Sequence, residues 1–212
     1  EAPFRVLGLK YASDVQASVG SVFTAFGQRG VFPDSCPPSS HATLTFPKTK
    51  KTKGPVTMHW MDGGIKPERP EELGPDEMFG DGNSGILFIG TKGKMMASEY
   101  AANPRLLPLS RNEEVKVKQT LERVPGSADG HYAQWVEGAI AGYGNKQLSS
   151  SFELAGPLTE AILMANLAIR VADMPFPRPT GKGMHYPGSN TKLLWDNANM
   201  RVTNFEDRKS VV

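Results

Sequence analysis

Between Ser13 and Phe23, Val15, Ala17 and Val19 alternate with polar neighbours, the period-two pattern of a strand with one buried face. Residues Gly27 to Ser40 then collect Gly27, Gly30, Pro33, Asp34, Pro37 and Pro38, which predicts a long shaped loop. His41 to Phe46 alternates again, Lys48 to Gly54 reads as a lysine-rich turn, and Val56 to Met61 as its returning strand. Asp62 to Pro70 is too rich in proline to be regular, and Glu71 to Phe79 is assigned to a short helix. A second hairpin follows: Gly85 to Ile89, a turn at Gly90-Thr-Lys-Gly93, and Lys94 to Tyr100.

The period changes further on. Asp129 is placed as the N-cap of a helix running through Ile140, with Tyr132, Val136, Ala139, Ile140 and Tyr143 at helical spacing. From Pro157, read as a first-turn residue, to Asp173 nearly every position is apolar. Thr159, Asn166, Arg170 and Asp173 form a narrow polar stripe, so this helix is expected to be covered over most of its surface. Lys192 to Asp196 and Met200 to Asn204 read as a closing hairpin. Strands and helices segregated in this way predict one α+β domain over residues 1–212, built on a largely antiparallel sheet.

Composition narrows the function. With 24 Lys and Arg against 22 Asp and Glu, the net charge is +2, too small a field to draw the chain onto nucleic acid or an anionic membrane. The chain has 22 glycines and 17 prolines among 212 residues, well above the roughly 12% of average usage, which fits many turns. Cys36 is the one cysteine, excluding an internal disulfide and any multi-cysteine metal site. The most apolar run, Ala161 to Ile169, is far shorter than the ~20 residues that span a bilayer. No membrane span is therefore expected.

Motifs are weighed on their context. Gly80-Asp-Gly-Asn-Ser-Gly85 has G-x-G-x-x-G spacing, but a helix is expected before it and a strand after it, the reverse of a dinucleotide site. Gly90 to Gly93 lacks the Gly-Lys-Ser/Thr of a phosphate loop and reads as a hairpin turn. His41, His59, Asp62 and Cys36 are the one set suggesting a metal. On a strand, however, His59 and Met61 share a face opposite Trp60 and Asp62, so no metal site is assigned. Lys48, Lys50, Lys51 and Lys53 form a solvated turn without interleaved aromatics, which gives no nucleic-acid surface. His131, in a first helical turn, is either a substrate ligand or general acid/base, or a histidine that satisfies the helix end. The loop carrying Asp62, Lys66 and Arg69 is either a binding loop beside a strand end or a surface connection.

Seven segments in order carry a resemblance: Gly30-Val-Phe-Pro-Asp-Ser, His59-Trp-Met-Asp-Gly-Gly, Pro67-Glu-Arg-Pro-Glu-Glu-Leu73, Leu87-Phe-Ile-Gly-Thr-Lys-Gly-Lys94, Pro104-Arg-Leu-Leu-Pro108, Gly130-His-Tyr-Ala-Gln-Trp135 and Ala155-Gly-Pro-Leu-Thr-Glu-Ala161. Over nearly its whole length the chain resembles the C-terminal domain of the Gfo/Idh/MocA oxidoreductases, in a branch common in Bacteroidetes and Planctomycetes. The resemblance implies an open, mostly antiparallel sheet with helices packed on one face and a free face that forms a homo-oligomer contact. It also implies a parent enzyme that moves hydride between NAD or NADP and a sugar or polyol hydroxyl. The family's Glu-Lys-Pro and Asp-x-x-x-His motifs and its dinucleotide (Rossmann) domain have no counterpart here. The chain is accordingly expected to begin just after the catalytic pair, to stop short of the family's usual end, and to bind no nicotinamide and show no catalysis alone. Asp34, Asp62, Lys66, Arg69 and His131 are the expected sugar-facing groups, and no catalytic or metal residue is assigned. Two alternatives stay open: a stand-alone carbohydrate-binding or scaffolding module, and a domain of an NAD-dependent glycosidase. Cytoplasm and periplasm are both compatible with the sequence.

Overall fold

In a computed structural model, which describes residues 1–32, 34–126 and 129–205, the chain is mixed α+β with open sheets and, among the described residues, no closed barrel. Every described strand pairing is antiparallel. The residues group into two compact bodies, one made of Pro3–Pro67 with the segment from Phe152 onward, the other of Glu68–Ser151.

The first body is organised by a five-stranded sheet. Its strands are β1 (Asp14–Val19), β4 (Ser40–Phe46), β5 (Val56–Met61), β11 (Leu193–Asp196) and β12 (Arg201–Val202), in the order β12-β11-β1-β4-β5. Alternation decides the faces: Val15 and Ala17 on β1, and Ala42, Leu44 and Phe46 on β4, are buried on one side. Helix α3 (Phe152–Asp173) lies on that side against β1 and β4, burying Ala161, Met164, Ala165, Ala168 and Ala172. Its small alanines let helix and sheet approach closely, and the apolar area removed from water stabilises the layer. Helix α1 (Ala2–Leu7), unassigned from the sequence, adds Phe4 to the same core, edge-on to Phe46 with ring centroids 5.4 Å apart.

The lysine-rich turn between β4 and β5 caps α1. Thr49 Oγ1 donates to the Leu7 carbonyl at 2.6 Å and Lys51 Nζ to the Arg5 carbonyl at 2.8 Å, satisfying carbonyls that a helix C-terminus leaves open.

Two expectations for α3 are corrected. The helix begins five residues before Pro157, which sits one turn in, where its missing N–H deprives only the Glu153 carbonyl of its usual donor. The outer face is also wider than the polar stripe suggested, and Ile162, Leu163 and Leu167 are exposed beside Asn166 and Arg170. By length and composition α3 would suffice to cross a membrane. Its alanine face is buried on the sheet. Two small hairpins complete this body: β2 (Phe23–Ala25) with β3 (Gln28–Arg29), and β9 (Phe176–Pro177) with β10 (Met184–His185).

The second body is built on β6 (Ile86–Gly90), β7 (Gly93–Ala97) and β8 (Arg105–Leu107), followed by a 3-10 turn, Leu109–Asn112. The expected two-residue turn at Thr91-Lys92 is present, with Gly90 paired to Gly93. Leu73, Met96 and Leu107 form the core, with Phe79, Leu87 and Leu109 packed on it. The helix expected over Glu71 to Phe79 is absent. Gly74 and Pro75 interrupt it, and the segment closes turns instead: Glu77 N–H donates to the Gly74 carbonyl at 3.1 Å, and Gly74 N–H to Glu77 Oε2 at 2.8 Å. Helix α2 (Gly130–Ala141) falls where its spacing placed it. Asp129 occupies the N-cap position but makes no side-chain cap bond, because its backbone is already helical at φ −83, ψ −11 rather than extended.

Candidate functional site

The link from β1 into the β2–β3 hairpin, the loop after β3 and the end of α3 line an open cleft of about 260 Å³ in the first body. Its polar groups are Arg29, Asp173, Ser21 and Ser35, and Phe32 and Cys36 add a ring and a thiol. The Arg29 guanidinium, on β3, donates through Nη2 to Asp173 Oδ1 at the end of α3. It also lies over the Tyr186 ring, 4.0 Å from the centroid, so a planar cation is held on one side by charge and on another by the ring quadrupole. Arg29 Nε is buried without a hydrogen-bond partner.

Local sequence shapes this cleft. Gly30 brings the Phe32 ring back over the chain, and a Cβ at Gly30 would stand 2.6 Å from Phe32 Cε2. The Gly30 N–H closes onto the Val22 carbonyl at 2.7 Å. Asp62 follows β5 and accepts from Ser40 N–H at 2.7 Å and Ser40 Oγ at 3.0 Å. Gly63 follows at φ +63 and lies so close to Pro38, a wall residue, that a Cβ would be 2.1 Å from the Pro38 carbonyl oxygen. The Asp-Gly pair thus fixes the loop that backs the cleft.

The expected sugar-facing residues divide between the bodies. Asp34, Asp62 and Lys66 belong to the first, and Arg69 and His131 to the second. Asp34 is exposed on the loop between Phe32 and Ser35, two residues that line the cleft, while Pro33 lies outside the described residues. Asp62 is engaged with Ser40, and Lys66 is exposed on the irregular segment after it. Arg69 ties its own loop, donating through Nη2 to the Gly74 and Glu77 carbonyls at 2.5 and 2.6 Å. His131 is exposed in the first turn of α2, with Nδ1 3.5 Å from Ser149 Oγ. Sequence reasoning passed over Arg29 and Asp173; the signal available was the dense loop chemistry beside Arg29, with nothing pointing to its partner.

The Gly80–Gly85 loop does not fit a dinucleotide. Asp81 Oδ1 already accepts from the backbone N–H groups of Asn83 and Ser84 at 3.0 and 2.7 Å, and Oδ2 from Glu99 at 3.2 Å. A carboxylate of the chain itself occupies amides that would face a phosphate, and strand β6, not a helix, follows. Those donors, Ser84 first, hold the Asp81 carboxyl below its ordinary pKa.

One further cluster emerges on the sheet face away from α3. His41 Nε2 and His59 Nδ1 are 3.0 Å apart, and Thr43 Oγ1 is 3.5 and 3.2 Å from them. Partial burial, and secondarily His59, lower the His41 pKa. Among the described residues no three His, Cys, Asp or Glu side chains gather as a metal set. Neither a protein-family model nor a curated protein matches the chain.

Proposed function

We propose that this chain supplies the substrate side of an NAD(P)-dependent oxidoreductase acting on a sugar or polyol hydroxyl. The observation that carries the reading is the Arg29–Asp173 pair at the wall of a cleft that also offers Ser21 and Ser35 hydroxyls and the Phe32 ring. A polyol presents adjacent donors and acceptors on a weakly apolar carbon face. A guanidinium next to a carboxylate offers the complementary donors and acceptors, and an aromatic ring covers the carbon face. In this reading the chain's residues bind and orient the hydroxylated substrate and exclude water beside it. Hydride acceptance belongs to a nicotinamide held by a separate dinucleotide-binding part of the parent, because the Gly80–Gly85 loop does not fit one.

The test is a titration of the chain with monosaccharides, linear polyols and NADH, followed by amide NMR. Expected are shifts at Gly30, Ser35 and Cys36 with a sugar or polyol, reduced at least fivefold in affinity by Arg29→Met or Asp173→Asn, and no NADH response. Tight NADH binding, or sugar shifts confined to residues outside the cleft, overturns the reading.

A further inference from the structure

Strands β4 and β5 pair with Thr43 opposite His59 and His41 opposite Met61, so both imidazoles and the Thr43 hydroxyl project from one face of the sheet. The separations between the three donor atoms are 3.0, 3.2 and 3.5 Å. They are hydrogen-bond contacts whose direction depends on the histidine tautomers, and they also match the edges between neighbouring ligands on one metal ion, which would replace the shared ring proton once that proton moves to the other nitrogen of its imidazole. With metal–nitrogen bonds of about 2.0–2.1 Å, the 3.0 Å between the two ring nitrogens subtends about 91–97° at the metal. Tetrahedral zinc would hold the two nitrogens about 3.4 Å apart; a near-right angle suits the tetragonal or octahedral arrangements of copper(II) and nickel(II). From this geometry we propose that His41 and His59, with Thr43 beside them, form a chelating site for a divalent late transition ion of the copper or nickel type.

The site goes beyond the proposed activity and does not depend on it. His41 and His59 are two of the chain's four histidines, and a metal ion takes the unprotonated nitrogen of each ring. Neither imidazole meets a carboxylate within the cluster, so an ion held here retains its charge, and its outer positions face away from the core.

The experiment is nickel(II) binding to the whole chain by calorimetry in a Cys36→Ser background, which removes the exposed thiol, together with the electron paramagnetic resonance of added copper(II). Expected are one ion per chain, hyperfine coupling to two imidazole nitrogens, and affinity reduced at least tenfold by either His41→Ala or His59→Ala. Circular dichroism of each variant establishes that it is folded. A proton NMR titration of the unsubstituted chain needs no variant, and nickel should broaden two of the four histidine ring signals, those of His41 and His59. Binding that survives both substitutions, one ion per two chains, broadening of His131 or His185 instead, or no binding at all overturns the proposal.

Discussion

Asp62 grips Ser40 across the end of the β4–β5 pair: one carboxylate oxygen accepts from the Ser40 amide at 2.7 Å, and both accept from its hydroxyl at 3.0 Å. Ser40 is 3% exposed, so water cannot replace these bonds if they are lost. Replacing Asp62 by Ala leaves a buried amide and hydroxyl unsatisfied and should lower stability by about 1–3 kcal/mol, read as a reduced urea midpoint by far-ultraviolet circular dichroism. A variant of unchanged stability that no longer binds polyols would instead show the carboxylate facing the ligand.

Gly63 should accept no side chain. Its φ of +63 is left-handed, and an added Cβ would stand 2.1 Å from the Pro38 carbonyl oxygen and 2.4 Å from Ser39 Cα, both backbone atoms that cannot swing away. Gly63→Ala is expected to cost about 1–3 kcal/mol. Because Pro38 lines the cleft, polyol affinity should fall as well. Gly64→Ala, at φ +89 but with open space around its Cβ, should be the milder variant, since it carries the backbone strain without the collision.

Asp81 should make stability depend on pH in acid. Its folded pKa lies below the ordinary value because three backbone N–H groups bond the ionised form. A depressed carboxyl stabilises the fold above its unfolded pKa, and that contribution is lost as pH falls through the folded pKa. The difference in urea midpoint between the unsubstituted chain and Asp81→Ala should therefore be constant above the ordinary carboxylate range and shrink as the pH falls below it. A difference that grows on acidification would contradict the assignment.

Much of the architecture could be read locally. The alternation at Val15 and Ala17 and along His41 to Phe46 identifies β1 and β4 and their buried faces, because a strand repeats every two residues whatever it pairs with. Gly90 and Gly93 mark a hairpin turn for the same local reason. The helix expected over Glu71 to Phe79 does not form because Gly74-Pro75 costs more than the surrounding acidic residues return. In the candidate cleft, the Gly30 to Ser35 loop and the Asp62-Gly63 turn could be singled out as shaped segments. Their chemistry could not, since Asp62 turns its carboxylate to Ser40.

Sequence alone thus determined the strands β1, β4 and β5, the β6–β7 hairpin, the mixed α+β class with its antiparallel sheet, and the strand that follows the Gly80–Gly85 motif, all of which depend on neighbours within a few positions. Only tertiary structure decided which distant groups meet. Arg29 and Asp173 are 144 positions apart, and nothing in either neighbourhood specifies the other. Parity places His59 and Met61 on one face of β5, but the common face of His41 and His59 and their 3.0 Å approach required the register that sets Thr43 opposite His59. Register is chosen by burying Ala42, Leu44 and Phe46 against α3 and α1, a property of the assembled core that no short window of residues contains.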